Sequence, residues 1–380
     1  MGTEPADLLM PKQVMPKQMI PKQATQEKVT QEKPSRERGL RVVAIGGGTG
    51  LSTLLKGLKS FALTPAEMLD APPESPAIHD LCAVVTVSDD GGSSGRLRKE
   101  LNMLPPGDIR NCIVALSEDE ALLSRLFRHR FAKGSGLEGH SFGNLFLAAL
   151  TDITQDFSDA VRLASEILVT RGHIYPSTTS NIELEALMED GSRVRGETKI
   201  TASKVRIHEV FLVPPNVEPL PQTLEAIAAA DIISIGPGSL FTSLIPNLLV
   251  HDIGDAIVHS PATKVYICNL MTQANESLGL TAADHIRALN RHAHQQLFDY
   301  ALINRTPVSD ELKAKYAHEG ACQIVADLDA IEALGVIPIF GDYLEEEGVA
   351  RHNTARVASD LLQLATLENG ARKGRSAGTS

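Results

Sequence analysis

The chain has no tryptophan, and aromatic side chains make up only 4% of its 380 residues. Its four cysteines lie far apart and form no CxxC pair, so the sequence predicts neither a zinc site nor a disulfide framework. No apolar run approaches the roughly 18 residues of a membrane span. The polar N-terminus also lacks the apolar segment of a secretory signal. These absences favour a cytoplasmic globular protein that does not insert into a membrane.

The charge is predominantly negative, with a formal net value of −11 at pH 7. Both ends of the chain are basic, so the acidic excess lies in the body between them. An acidic body with few aromatic residues argues against nucleic acid as the main partner, because proteins that bind nucleic acid need basic surfaces and stacking side chains. A nucleotide phosphate would need only local positive charge.

Composition divides the chain into a body and two tails. Residues 1–40 carry Pro-Lys-Gln repeats at five-residue spacing and few apolar side chains, which predicts a disordered tail. Residues 41–368 are expected to form a single domain, and 369–380 to form a second disordered tail.

Short β-branched runs alternate with helical patterns through most of the body. This alternation predicts an α/β fold with a Rossmann-like, doubly wound, mostly parallel sheet. The segment 182–213 has a different pattern, because Asp190-Gly191 separates two alternating runs. We expect a small antiparallel β insertion there: a hairpin of 182–188 and 192–198, with 205–213 as a third strand.

A glycine run follows the first strand directly and precedes a helical leucine pattern. The residues of this turn are Gly46, Gly47, Gly48, Thr49 and Gly50. Glycines at a helix start let a phosphate approach backbone N–H groups, so the turn favours a nucleotide diphosphate. The spacing fits neither a dinucleotide-binding fingerprint nor a Walker A loop, and a tight turn without a ligand is the alternative.

Polar loops at later predicted strand ends supply further candidates. Asp89 and Asp90 have the chemistry to bind a divalent cation such as Mg²⁺ or a ribose, or simply to cap a helix. Loop glycines, serines and one arginine follow as donors to phosphate: Gly91, Gly92, Ser93, Ser94 and Arg96. Arg110 opens a helix, where a cation is unfavourable, so we expect an anionic partner: Asp108, Asp89 or a ligand.

The remaining candidates come from three loops. His140 and Asn144 open an apolar helix, and His140 has the chemistry of a base or a phosphate donor. Gly236, Gly238 and Ser239 predict a second anion cradle at a helix start. Amide, hydroxyl and carboxylate groups that suit a base or sugar follow: Asn269, Thr272, Gln273 and Glu276. The sequence has no GxSxG or HExxH motif, so no motif in it indicates a hydrolase.

The motifs IGGGTGLSTLLKGL, VTVSDDGGSSGRLR, PPGDIRN, GHSFGNLFLAAL, IGPGSLFTSLIPNLLV and CNLMTQ together resemble the YvcK-type gluconeogenesis factors. These belong to the superfamily of the 2-phospho-L-lactate transferase CofD. The resemblance implies a cytoplasmic bacterial protein, at least dimeric, that binds a UDP-sugar, typically UDP-N-acetylglucosamine. It also implies a role in cell shape and in growth on gluconeogenic substrates.

The residues that match the family's ligand-facing motifs are Gly46 to Gly50, Asp89, Asp90, Ser93, Arg96, Asn144, Gly238, Ser239, Asn269, Thr272 and Gln273. Two departures are Ala274-Asn275 after the MTQ motif and Leu280, where the family commonly has an aromatic residue. A stacking contact at 280 would therefore be absent.

Two functions follow from this resemblance. The first is a regulatory protein that senses a UDP-sugar and signals to protein partners in envelope synthesis, without catalysis. The second is a transferase of a phosphorus-containing group, as in the relatives that bind a guanosine nucleotide and use Mg²⁺. In that case Asp89 and Asp90 would hold the metal, and Asp89 or His140 would act as the base.

Overall fold

The computed structural model describes residues 39–70, 76–118 and 122–377. The predicted N-terminal tail therefore lies outside the described residues, except for its last two positions. The described residues belong to one compact unit. Within the described residues, no helix is both long and apolar enough to cross a membrane.

A seven-stranded parallel sheet forms the centre of the fold. Its order is β10-β9-β8-β7-β1-β2-β3. The strands are β1 Leu40–Gly46, β2 Ile78–Val85, β3 His173–Pro176, β7 Ile232–Ile235, β8 Thr263–Ile267, β9 Tyr300–Asn304 and β10 Ile337–Gly341. The order confirms the predicted α/β class.

Continuous apolar runs explain why this sheet is parallel and covered on both faces. Val42 to Ile45 and Ile232 to Ile235 are fully buried, including the side chains that point to opposite faces. From β1 the chain proceeds to β2 and β3 on one side, whereas β7 to β10 lie on the other. The winding direction therefore reverses between β1 and β7, and ligands of doubly wound sheets bind at such switch points.

Helices flank the sheet, and the first one follows the predicted leucine pattern, burying Leu51, Leu54, Leu55 and Leu58. The helices are α1 Gly48–Lys59, α2 Pro65–Asp70, α3 Gly92–Leu101, α4 Gly107–Leu116, α5 Leu122–Arg128, α6 Phe142–Thr154, α7 Phe157–Ile167, α8 Glu197–Ala202, α9 Pro221–Ala229, a π-helix Leu240–Leu244, α10 Ile245–Leu248, α11 Ile253–His259, α12 Ala282–Ala293, α13 Asp310–Ala317, α14 Leu328–Glu332 and α15 Thr354–Ala377.

The predicted β insertion is a three-stranded antiparallel sheet of order β5-β4-β6. Its strands are β4 Glu183–Met188, β5 Arg193–Arg195 and β6 Ile207–Val213. The second strand is shorter than predicted, because Gly196 takes a positive φ of 99° and the chain continues into α8. This correction matters because α8 carries residues of the candidate site.

The sequence patterns did not predict several elements towards the C-terminus. These include the edge strand β10, the hairpin of β11 Leu344–Glu346 and β12 Ala350–His352, and α15. The predicted start of the C-terminal tail at residue 369 falls within α15, which continues to Ala377. The boundary at 369 is therefore not a helix end, and 378–380 lie outside the described residues.

Candidate functional site

The glycine turn after β1 lies against the loops that follow β2 and β7. A Cβ atom added at Gly47 would lie 2.7 Å from the Thr86 side chain and 3.0 Å from Asp108 Oδ2. A Cβ atom at Gly50 would lie 3.0 Å from the Gly238 Cα atom and would overlap the Pro237 carbonyl. The turn therefore needs glycine for close packing, and the three loops meet at one edge of the sheet.

Asp89 and Asp90 each accept hydrogen bonds from the chain itself. Asp89 Oδ1 accepts from the Gly91 N–H at 2.8 Å. Asp90 Oδ1 accepts from the N–H and the hydroxyl of Thr198, at 2.8 and 2.6 Å. Asp90 thus ties the loop after β2 to α8 of the insertion, a structural role that the sequence patterns did not reveal.

Five acidic residues approach one another here, and we call them the carboxylate cluster: Asp89, Asp90, Asp108, Glu197 and Glu276. Burial, followed by repulsion from Asp89 and Asp108, raises the pKa of Glu197 to about 9. Burial and repulsion from Asp89 raise the pKa of Asp108 to about 6, against an opposing hydrogen bond from the Gly48 N–H. Sequence reasoning missed Glu197, because it lies in the insertion, far along the chain.

The carboxylate cluster does not present a complete metal site. Among the described residues, no group of three or more His, Cys, Asp or Glu side chains is arranged to hold a metal ion. One oxygen of Asp89 and one of Asp90 are already committed to donors of the chain. Mg²⁺ usually needs only one or two carboxylates beside substrate phosphates, so the Mg²⁺ site at Asp89 and Asp90 stays a prediction.

The start of α6 packs against the start of α3 through buried polar side chains. Ser93 Oγ and His140 Nδ1 are 2.9 Å apart, and Asn144 Nδ2 donates to Ser94 Oγ at 3.4 Å. Burial and the neighbouring Arg96 lower the pKa of His140, which favours the neutral ring. The buried Oδ1 of Asn144 has no hydrogen-bond partner among the described residues. These predicted residues are therefore close together.

Arg96 and Arg110 also lie at this helix start, but neutral oxygens are their partners. Arg96 donates to the Glu138 carbonyl at 2.7 Å. Arg110 donates to Ser141 Oγ at 2.8 Å and to Asn111 Oδ1 at 2.7 Å. We expected Arg110 to have an anionic partner, and within the described residues no carboxylate forms an ion pair with it. Asp108 and Asp89 nevertheless lie near enough to act on Arg110 electrostatically, without a direct ion pair.

The loop after β7 is already occupied by a carboxylate of the chain. Glu276 Oε1 accepts from the N–H groups of Phe241 and Thr242 at 3.0 and 2.8 Å, and the residue is only 7% exposed. The prediction of an anion cradle at the helix start that follows Gly236, Gly238 and Ser239 is therefore wrong for these two N–H groups. Glu276 therefore has a structural role at this helix start, and its predicted role towards a sugar stays a prediction.

The segment from Asn269 to Gln273 was predicted to recognise a base or sugar, but its side chains mainly form hydrogen bonds with neighbouring parts of the chain. Asn269 exchanges two hydrogen bonds with the backbone of Gly238, at 3.0 and 2.7 Å. The Thr272 hydroxyl accepts from the Cys322 N–H at 2.9 Å. Gln273 donates to Ser239 Oγ at 2.9 Å, but its buried Oε1 has no partner among the described residues. Gln273 therefore retains an oxygen for a ligand.

One open cavity of about 490 Å³ lies elsewhere, around the C-terminal end of α12. None of its lining residues is a predicted site residue; they are Arg287, Asn290, Arg291, His294, Gln295, Gln296 and Leu334. The predicted polar site residues converge at the carboxyl ends of the strands and not at this cavity.

Comparison with known proteins agrees with this architecture. The family model for the 2-phospho-L-lactate transferase CofD matches residues 42–344. The chain is 49% identical to the gluconeogenesis factor of Halalkalibacterium halodurans, over 85% of this chain and 95% of that protein. It is 48% identical to the gluconeogenesis factor of Bacillus subtilis, over 85% of this chain and 98% of that protein.

A solved structure has the same fold. The crystal structure of a Bacillus halodurans protein superposes with a TM-score of 0.80 at 48% identity, covering 86% of this chain and 100% of that one. The motifs, the sheet order and these relatives agree. The chain belongs to the 2-phospho-L-lactate transferase CofD family, as a YvcK-type member related to the gluconeogenesis factors.

Proposed function

We infer that this protein binds a UDP-sugar, UDP-N-acetylglucosamine, at the edge of the sheet between β1 and β7. Binding would regulate protein partners in envelope synthesis and cell shape during gluconeogenic growth in the cytoplasm, and the protein would act as a homodimer or higher oligomer. The observation that carries this proposal is the meeting of the Gly46–Gly50 turn, the Asp89 loop and the Gly238 loop at the topological switch point.

The two helix starts at this edge support a diphosphate ligand. The N-terminal residues of α1 and α3 have no side-chain cap of their own, and neither helix has an acidic residue in its first turn. First-turn N–H groups lack partners within a helix, and the helix dipole favours negative charge there. Glu276 accepts from two N–H groups of the third helix start, after Gly238, whereas at α1 Asp108 accepts from the Gly48 N–H alone, so the diphosphate is expected at α1 and α3.

The unpartnered oxygens of Asn144 and Gln273 support recognition of the rest of the ligand. Both atoms are buried acceptors without a donor among the described residues, and buried polar groups are nearly always satisfied. Hydroxyl and amide groups of a sugar nucleotide are donors that suit them. These two side chains are expected to provide selectivity, whereas the helix starts provide affinity.

Isothermal titration calorimetry tests the proposal directly. UDP-N-acetylglucosamine should bind the wild-type protein without turnover, and Asp89→Ala and Arg96→Ala should weaken binding about tenfold or more. Arg305→Ala is the matched control, because Arg305 is exposed and pairs with Asp342. Circular dichroism must show that each variant is folded. Absence of binding at millimolar ligand would remove the proposal.

The second candidate function is transfer of a phosphorus-containing group. The observation in its favour is Asp108, whose pKa of about 6 places a partly buried carboxylate near the range of a general base. The family model also carries a transferase's name. Release of a nucleoside monophosphate from a sugar nucleotide or GTP, measured with and without Mg²⁺ and lost in Asp108→Asn, would favour this function over pure binding.

A further inference from the structure

Three arginines contact the loop that precedes α6, and a fourth, Arg128, acts electrostatically on one of them. We call them the arginine cluster: Arg96, Arg110, Arg128 and Arg130. Arg96 and Arg130 donate to the carbonyls of Glu138 and Gly139, and Arg110 donates to the Ser141 hydroxyl. Arg130 and Arg128 are close enough to Arg110 to lower its pKa together with burial. Several positive charges therefore lie close together beside the loop from 138 to 141.

Within the described part of the chain, the four arginines of this cluster lack the carboxylate partners that several other arginines have, a property that they share with Arg98 and Arg291. Arg162, Arg193 and Arg305 each form an ion pair with a carboxylate, at 2.5 to 2.9 Å. Among the described residues, no carboxylate lies within ion-pair distance of any of the four cluster arginines. Arg128 forms neither an ion pair nor a hydrogen bond to the described part of the chain. A protein with a net charge of −11 has many carboxylates that could have been placed there.

The start of α6 adds further groups that favour an anion. The helix has 13 residues, Ser141 is its N-cap, and its first turn contains no acidic side chain. Its dipole and its first N–H groups point towards the same loop. Arg110 Nε is buried and has no partner among the described residues. Arginine forks and helix starts are the groups that commonly bind phosphate oxygens in proteins.

We propose that the arginine cluster, together with the start of α6, is a binding subsite for a phosphate-class oxyanion, which adjoins the diphosphate site at the glycine turn and shares only Arg96 with it. Its occupant is the phosphate group of a second, small ligand that binds beside the nucleotide. The subsite extends the proposed function. It rests on that function in one respect, because the nucleotide must occupy the neighbouring edge of the sheet. The two sites adjoin: Asn144 of α6 donates to Ser94 of α3, and Asp89 and Asp108 are close enough to act electrostatically on Arg110.

Calorimetric titration of the full chain with inorganic phosphate is the first test. Phosphate should bind, and Arg128→Gln combined with Arg130→Gln should weaken its affinity at least fivefold. The single variant Arg128→Gln should weaken it about two- to threefold. Arg128 is exposed and forms no hydrogen bond or ion pair with the described residues, so this single variant keeps the test independent of folding. Arg162→Gln, on α7, is the matched control and should leave phosphate affinity unchanged.

Competition between ligands separates this subsite from the nucleotide site. Phosphate affinity should persist in the presence of saturating UDP-N-acetylglucosamine, and citrate should bind more weakly than phosphate if the subsite selects tetrahedral oxyanions. Three results would overturn the proposal: no phosphate binding at millimolar concentration, equal loss in Arg162→Gln, or full displacement of phosphate by the nucleotide. Failure of UDP-N-acetylglucosamine to bind, with phosphate binding intact, would count against the proposed function alone.

Discussion

The carboxylate cluster and the arginine cluster adjoin at one edge of the sheet, but their charged groups are satisfied in different ways. Asp89, Asp90 and Glu276 accept hydrogen bonds from N–H groups of the chain. Three of the arginines donate to neutral carbonyl, hydroxyl and amide oxygens, and no carboxylate among the described residues forms an ion pair with any of the four. The difference teaches that the carboxylates hold the loops in place, whereas the arginines leave positive charge for a ligand.

The largest effect is expected from removing the carboxylate that completes the helix start after β7. Glu276→Ala leaves the buried N–H groups of Phe241 and Thr242 without acceptors, which should lower the free energy of unfolding by about 2–4 kcal/mol. Urea unfolding measures this change. Glu276→Gln keeps a carbonyl oxygen as an acceptor and should lower the free energy of unfolding by less. Equal stability of the alanine variant and the wild type would show that the carboxylate has no structural role.

Glu197 provides a pH-dependent test of the carboxylate cluster. Its folded-state pKa of about 9 exceeds the ordinary glutamate pKa of 4.5, so the folded protein binds the extra proton between these values. Stability contributed by the protonated form is therefore complete at low pH and falls as pH rises towards 9. Glu197→Gln should remove that fall and raise stability at pH 8 by roughly 1–2 kcal/mol, since the side chain is only partly buried.

Urea unfolding of wild type and Glu197→Gln at pH 5 and pH 8 gives the comparison. The difference between the two proteins should grow as pH rises. A difference that is the same at both pH values would mean that Glu197 ionises normally and that the carboxylate cluster is not a repulsive group. Glu311→Gln, at an exposed position in α13, serves as a control for the loss of one surface charge.

The link between Asp90 and the insertion is expected to be weaker, because the pair is exposed. A double-mutant cycle of Asp90→Ala and Thr198→Ala should give a coupling free energy of about 0.5–1 kcal/mol. Additive effects of the two substitutions would show that the side-chain hydrogen bond contributes nothing. The backbone N–H of Thr198 also donates to Asp90, so Asp90→Ala alone should cost more than Thr198→Ala.

The smallest effect on stability is expected in the arginine cluster. Arg128→Gln removes an exposed side chain without a described partner, so the free energy of unfolding should change by less than about 0.5 kcal/mol. Salt should stabilise the wild type slightly more than the variant, because screening reduces repulsion among the arginines. A loss of more than 1 kcal/mol would place Arg128 among the structural residues and weaken the contrast between the two clusters.

Local sequence patterns were sufficient for the centre of the fold. The apolar runs at Val42 to Ile45 and at Ile232 to Ile235 predicted the strands, and the glycines after them predicted the turns that meet. The end of β5 was not predictable in this way. It depends on the positive φ of Gly196 and on the hydrogen bond that the Thr198 N–H donates to the Asp90 carboxylate. Both of these features depend on the tertiary fold.

The candidate site was predictable only in part, for the same physical reason. The patterns located Ser93, Asn144 and Gln273, whose side chains are brought to the edge of the sheet. They assigned a ligand role to Asn269 and Glu276, because free amide and carboxylate groups suit sugars as well as backbone N–H groups. They also missed Glu197, since its approach to Asp89 and Asp108 depends on how the insertion packs.

A crystal structure of the protein with UDP-N-acetylglucosamine tests the central claim most directly. The account predicts the pyrophosphate against the backbone of Gly46 to Gly50 and the start of α3, with the nucleotide lying across the β1–β7 switch point. A pyrophosphate bound at the loop after Gly238 in place of Glu276, or a nucleotide in the cavity at the end of α12, would contradict it.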